Sequence, residues 1–178
     1  VSVEMRVIKD PEALSIFGMM QRRIGAIGRV HRQLCDAREA SDVNLGAYLE
    51  TLARDLEEGW PDTAGKRRVF VHASDILISH EEATAIGIVV SELVVNAFKH
   101  AYAPGMPGDV WIGLVPLWTG GYRLEVVDRG HGPGAGESRD GTGLGRRLVD
   151  MMAKRLEARH AWRDAFPGTR FTLEARGK

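Results

Sequence analysis

The sequence predicts an α+β fold, a two-layer α/β sandwich of helices packed on one sheet, with a partial helical segment before it. Residues 122–127 alternate apolar and polar side chains, as a half-buried strand does. Residues 81–102 repeat their apolar positions with the period of an amphipathic helix. The elements follow the order helix, strands, long helix, hairpin, glycine-rich loops, helix, hairpin. That order suits a layered sandwich better than regular βαβ winding.

The composition is that of a globular protein with one buried core. Of the 178 residues, 44% are hydrophobic and 27% charged, which is too apolar for a disordered chain. The 24 Lys and Arg residues equal the 24 Asp and Glu residues, so no net charge attracts the chain to nucleic acid or to an anionic membrane. We therefore expect no nucleic-acid partner and no membrane contact.

Cysteine usage and hydropathy predict a cytoplasmic location. Cys35 is the single cysteine, and no apolar run approaches the roughly 20 residues of a membrane span. The six histidines do not fall at metal-ligand spacing, so no structural zinc site is expected. The chain opens on Val1 without a signal-peptide pattern, so we expect it to be a piece of a longer protein.

The first predicted helix spans residues 11–36. Asp10 can cap its free amides, and Pro11 and Glu12 suit its first turn. A heptad seam interrupted only by His31 follows, formed by Phe17, Met20, Ile24, Ile27 and Leu34. Such a seam requires a second helix, so the segment predicts a homodimer.

A polar connection at residues 36–44 separates this segment from the rest, and we place the domains at residues 1–40 and 43–178. The next helix ends at Gly59 and has a stripe that would pack on a sheet, formed by Leu45, Tyr48, Leu49, Leu52 and Leu56. Strands are predicted at 69–72, 75–78, 110–117, 122–127 and 170–175, and helices at 81–102 and 144–156.

The long helix carries four polar residues with chemical potential, namely Glu92, Asn96, Lys99 and His100. At about 100° per residue they fall within an arc of roughly 100°, beside an apolar stripe that would face the core. For a helix taken alone, a solvated face is the ordinary interpretation. The sequence that follows argues against it.

Two glycine clusters follow in order. Asp128-Arg-Gly130-His-Gly132 comes directly after the strand at 122–127, where an acid can accept a hydrogen bond from a planar base. Gly141-Thr142-Gly143-Leu144-Gly145 then opens a helix, whose exposed amides suit phosphates. Residues 130–135 also fit a dinucleotide pattern, but a loop rather than a helix follows them, and neither cluster has a P-loop lysine.

Together these residues resemble the ATPases shared by gyrase, Hsp90, histidine kinases and MutL. Residues 92–100 resemble the N box, Asp128-x-Gly130-x-Gly132 the G1 box and residues 141–145 the G2 box, while Gly168-Thr169-Arg-Phe171 resembles the strand entry that closes the fold. The similarity covers about residues 43–175 and implies the Bergerat ATP-binding fold.

The resemblance implies a role for each matching residue. Asn96 would hold Mg²⁺, and Glu92 would polarise or help to deprotonate the attacking group. Lys99 and His100 would lie near the phosphates of ATP. Asp128 would read the adenine amino group, supported by Thr169 through water. The glycine clusters would bind the nucleotide through Gly130, Gly132, Gly141, Thr142, Gly143, Leu144 and Gly145.

The upstream residues narrow the family. Residues 10–14, 23–31 and 43–49 resemble histidine kinases with a variant dimerisation domain. That resemblance implies an ATP-dependent histidine kinase that passes phosphate to a response-regulator aspartate. Its phosphoacceptor histidine is expected upstream of Val1, and His31 is interpreted as a packed residue. The Phe-containing lid box is missing between Pro133 and Asp140, so a short lid is expected.

Two alternatives remain at the level of sequence. One is a serine kinase of the kind that binds a sigma factor, which normally lacks a heptad-bearing helix such as residues 11–36. The other is a phosphotransfer scaffold that has lost its nucleotide groups, whereas Asn96, Asp128 and the G2 glycines are all present.

Overall fold

The computed structural model describes residues 42–60, 66–103, 105–131 and 144–177. The predicted helix 11–36, with its dimer seam, His31 and Cys35, lies outside the described residues. So do the predicted site residues Gly132, Gly141, Thr142 and Gly143.

The described residues form three α-helices, one π-helical turn and seven strands. In chain order these are β1 Asp42–Asn44, α1 Leu45–Glu58, β2 Arg67–Ala73, β3 Leu77–Ser79, α2 His80–Asn96, the π turn Ala97–Ala101, β4 Gly108–Pro116, β5 Tyr122–Asp128, α3 Leu144–Arg155, β6 Arg159–Asp164 and β7 Thr169–Ala175.

Five strands form the main sheet in the order β2-β4-β5-β7-β6. β2 runs parallel to β4, and every other neighbouring pair is antiparallel. β1 and β3 form a separate antiparallel ribbon. The sheet is therefore mixed and not built by regular βαβ winding, as the order of the elements predicted.

The helices cover one face of the main sheet. Along β4, Val110, Ile112 and Leu114 are fully buried, while Trp111 between them is only partly buried. The buried positions join one apolar core with the inner stripes of α1 and α2, including Leu49 and Ile86. Removing this apolar surface from water is the main force that holds the two layers together. The predicted two-layer α/β sandwich is confirmed.

Local capping sets where α1 and α2 begin. The Asn44 side chain accepts a hydrogen bond from the Ala47 amide at 3.2 Å. At α2, the Ser79 hydroxyl accepts from the Glu82 amide, and the Glu82 carboxylate accepts from the Ser79 amide at 3.0 Å. This reciprocal pair is a capping box, which satisfies two helix amides that have no partner within the helix.

Two strands were not predicted. Residues 42–44 were interpreted as a connection, yet they pair with β3 and bury Val43 opposite Ile78. β6 carries polar residues at both ends and forms the sheet edge beside β7. Both strands are stabilised by pairing with residues distant in sequence, and local propensity is a weak guide in such cases.

The long predicted helix changes its winding before it ends. α2 stops at Asn96 and continues as a π turn through Ala101. In a π turn each amide bonds five residues back instead of four, so fewer degrees separate successive side chains. The prediction of 100° per residue across residues 92–100 is therefore wrong beyond Asn96.

One edge of the main sheet is partly closed by a side chain. β2 is the outermost strand at the edge opposite β6, and its Val69 amide donates a hydrogen bond to the Glu57 carboxylate of α1. Within the described residues, no helix is long and apolar enough to cross a membrane.

The contact of Gly87 with Tyr48 gives a test of the packing between α1 and α2. A methyl group at Gly87 would overlap the Tyr48 hydroxyl and lie 3.0 Å from its Cζ atom. Alanine gains about 1 kcal/mol over glycine in a helix, but overpacking a core costs about 1–3 kcal/mol. We expect Gly87→Ala to lower the free energy of unfolding by up to about 2 kcal/mol in urea denaturation.

Gly113→Ala is the matched control, because the nearest atom to its added methyl group would be the Glu125 Cβ at 3.8 Å. Because alanine is favoured over glycine inside a strand, it should leave the free energy of unfolding unchanged or raise it by up to about 1 kcal/mol. Adding Tyr48→Phe to Gly87→Ala should restore part of the loss. A Gly87→Ala protein at least as stable as the wild type would contradict this account of the helix contact.

Candidate functional site

Asp128 is the last residue of β5 and is only 8% exposed. Its Oδ1 atom accepts hydrogen bonds from the Gly130 amide at 2.9 Å and from the Thr169 amide at 3.2 Å. The Thr169 contact is direct and is made by its main-chain amide. Two amide donors on one carboxylate oxygen hold the acid in a fixed orientation.

The loop after β5 meets the end of the π turn through main-chain atoms. The His131 amide donates a hydrogen bond to the Ala101 carbonyl at 2.9 Å. A methyl group at Gly130 would overlap that same carbonyl, so glycine is required at this position. Gly168, with φ at +105°, lies equally close to the Asp128 carbonyl.

A second cluster joins α2 to the start of α3. A methyl group at Gly145 would lie 2.7 Å from Glu92 Oε2 and 3.5 Å from Asn96 Nδ2. Glu92 is 2% exposed, whereas Asn96 is partly exposed. α3 begins at Leu144, so its free amides lie next to this carboxylate and amide pair.

The π turn connects the two clusters. It follows Asn96 directly and ends at Ala101, which touches Gly130. Lys99 and His100 lie between these two ends, with Lys99 partly exposed and His100 exposed. Partial burial, and then the positive charge of Lys99, lower the pKa of His100 below the ordinary histidine value. π turns often occur at functional sites.

The predicted residues thus fall into two groups on one side of the fold. Asp128, Gly130 and Thr169 are brought together at the end of β5, and Glu92, Asn96 and Gly145 at the start of α3. The described residues contain no group of three or more His, Cys, Asp or Glu side chains that could hold a metal ion.

Sequence reasoning missed Arg67 and Tyr102, which surround the end of the π turn. Arg67 donates to the carbonyl of Phe98, and Tyr102 accepts a hydrogen bond from the Arg129 amide at 3.0 Å. Neither residue belongs to a motif, and Arg67 lies just before the strand predicted at 69–72.

The sequence matches two protein families in succession. Residues 1–60 match the family described as "Histidine kinase", and residues 62–172 match the family described as "Histidine kinase-like ATPase domain". The second match covers more than half of the chain.

Individual relatives agree with the family matches. "Blue-light-activated histidine kinase 2" of Erythrobacter litoralis (strain HTCC2594) is 30% identical over 149 residues, which cover 81% of this chain and 42% of that protein. The chain thus spans less than half of the length of this relative.

Solved structures give the same result. The histidine kinase domain of the Erythrobacter litoralis EL346 blue-light-activated histidine kinase has a TM-score of 0.74 at 27% identity, covering 88% of this chain and 74% of that one. The ATP-binding domain of PrrB from Mycobacterium tuberculosis has a TM-score of 0.57 at 21% identity, covering 77% and 96%, a likeness of fold alone. The fold, the site geometry and the match over residues 62–172 lead to one conclusion: the chain belongs to the histidine kinase-like ATPase domain family.

Proposed function

We propose that this chain binds Mg²⁺-ATP and transfers the γ-phosphoryl group to a histidine in two-component signalling. The single observation that carries the proposal is the π turn, which joins a fixed carboxylate at Asp128 to the Glu92, Asn96 and Gly145 cluster. A planar base at the first group and a polyphosphate at the second would span this side of the fold.

Asp128 is proposed to recognise adenine. Its Oδ1 already accepts two main-chain amides, and its second oxygen would accept the amino group of the base. A buried carboxylate in a fixed orientation discriminates well, because a base without a donor there would leave it unpaired.

The phosphates are proposed to lie at the start of α3. The free amides after Leu144, together with the Gly141–Gly145 loop, would contact the phosphate oxygens. Lys99 and His100 would contribute positive charge from the π turn. Gly145 would let a phosphate come close to the main chain, because any side chain at this position would reach Glu92.

Asn96 is the residue proposed to hold Mg²⁺. Magnesium commonly uses one or two protein oxygens together with phosphates and water, so a single amide oxygen beside the phosphates fits it. The bound ion would neutralise charge on the phosphates. Glu92, buried next to Asn96, is proposed to polarise the attacking nitrogen or to accept its proton.

The remaining parts of the proposal concern residues outside the described ones. The acceptor histidine is assigned to the helix before the heptad segment, and the response regulator would receive the phosphate on an aspartate. Residues 11–36 are proposed to form the homodimer. We place the protein in the cytoplasm, which is consistent with its single cysteine.

Asp128→Asn tests the adenine site. The asparagine oxygen can keep both main-chain bonds, while its NH₂ group would face the donor of adenine. We expect the binding free energy of Mg²⁺-ATP, measured by calorimetry, to become less favourable by about 1–3 kcal/mol. ITP has a carbonyl where adenine has its amino group, so the substitution should lower the affinity for ITP less than the affinity for ATP. Asp150→Asn, on the exposed side of α3, is the control. An unchanged ratio of ATP to ITP affinity would remove Asp128 from this role.

The lowered pKa of His100 predicts a pH dependence. A bound polyphosphate would raise the pKa of His100, so binding takes up a proton and the affinity for Mg²⁺-ATP rises as pH falls from about 7.5 to about 5.5. His100→Gln should flatten this rise, and His72→Gln, on the exposed face of β2, should not. The phosphates of ATP also titrate in this pH range, but they contribute equally to both profiles, so their effect cancels when the variant is compared with the wild type. Identical pH profiles for wild type and His100→Gln would refute the contact.

The chemical step is tested with γ-labelled ATP and Mg²⁺ on a protein that includes the preceding histidine-bearing helix. Label on histidine is lost in acid and stable in alkali, and we expect such label on the wild type and none with Asn96→Ala. Asp150→Asn should label normally. Acid-stable label would favour the serine-kinase alternative, and absence of any label would favour the scaffold.

A further inference from the structure

Arg67 is a buried cation whose donors go to main-chain carbonyls. It is the first residue of β2 and is 7% exposed. Its Nε donates to the Phe98 carbonyl at 3.3 Å, and a terminal nitrogen donates to the Met106 carbonyl. Among the described residues no carboxylate pairs with it. Buried arginines usually pair with acids, so this bonding pattern calls for a reason.

The Phe98 carbonyl belongs to the π turn, one residue before Lys99. Carbonyls in the last turn of a helix lack amide partners within the helix and need other donors. The Arg67 guanidinium supplies one and ties the turn to β2. Its planar fork also reaches the Met106 carbonyl in the segment before β4, so a single side chain holds two main-chain segments.

Tyr102 holds the other end of the turn. Its ring centroid lies 5.2 Å from the Arg67 Cζ atom, which is within cation–π distance. Its hydroxyl donates to the Asp109 carbonyl on β4 and accepts from the Arg129 amide at 3.0 Å. Gly108 leaves room for the ring, since a methyl group there would overlap it.

We propose that Arg67 and Tyr102 are positioning residues of the nucleotide site. Arg67 fixes Lys99 and His100 through the Phe98 carbonyl, and Tyr102 fixes the loop after Asp128 through the Arg129 amide. Neither residue touches the nucleotide. This inference rests on the proposed binding of Mg²⁺-ATP and assigns the two residues to different ends of that ligand.

Nucleotides with three, two or one phosphates distinguish the role of Arg67 from that of Tyr102. Arg67 positions the cations of the π turn, which face the phosphates. Its loss should therefore weaken the binding of ATP more than that of ADP, and the binding of ADP more than that of AMP. Tyr102 acts beside Asp128, so its loss should weaken all three nucleotides by a similar factor. A residue that only stabilised the fold would change none of these affinities in a folded protein.

The experiment measures the affinity of ATP, ADP and AMP by calorimetry in the presence of Mg²⁺. Arg67→Met should lower the ratio of ATP to AMP affinity by about tenfold, and Arg67→Lys should restore part of it, since an ammonium can still donate to one carbonyl. Tyr102→Phe should weaken all three nucleotides by several-fold. Arg68→Met, the exposed neighbour on β2, is the control and should leave the affinities of all three nucleotides unchanged.

The outcomes are distinguishable. A folded Arg67→Met protein with the wild-type ratio would overturn the role of Arg67. If that variant does not fold, Arg67→Lys and Tyr102→Phe decide the matter, and unchanged affinities in both would overturn the inference. A wild-type chain that binds no Mg²⁺-ATP would refute the proposed function, whereas normal wild-type binding with unaltered variants refutes this inference alone.

Discussion

The approach of the Ala101 carbonyl to Gly130 is the constraint on which the site depends. Two main-chain segments meet there without an intervening side chain, and the His131 amide bonds the same carbonyl. This contact brings the end of a helix against the end of a strand. Because main-chain atoms make the contact, the spacing between the two clusters does not depend on side-chain rotamers. Any residue larger than glycine would force the two clusters apart.

A second close contact between main-chain segments lies on the other side of Asp128. Gly168 takes a backbone conformation that other residues rarely adopt and lies against the Asp128 carbonyl, while the Thr169 amide reaches the carboxylate. β5 therefore ends between two glycines, each pressed against main chain. A carboxylate at this point has little freedom to reorient, and preorganisation of this kind favours tight and selective binding.

Sequence reasoning recovered the parts of this protein that local chemistry determines. The period of β5 and the glycines around Asp128 could be predicted because each acts on its neighbours in the chain. The π turn could not be predicted, because the apolar period up to Asn96 gives no sign that the helix changes from α to π winding. Arg67 was missed because its partner, Phe98, lies 31 residues away and offers only a carbonyl, which leaves no trace in the sequence.

The bond between Glu57 and the Val69 amide has a consequence for the behaviour of the protein in concentrated solution. An outermost strand with free amides is a template on which another chain can add a strand, the first step towards aggregation. Glu57 occupies one of those amides and places a negative charge beside it. Any strand approaching β2 must displace that carboxylate first, so this edge discourages intermolecular growth of the sheet.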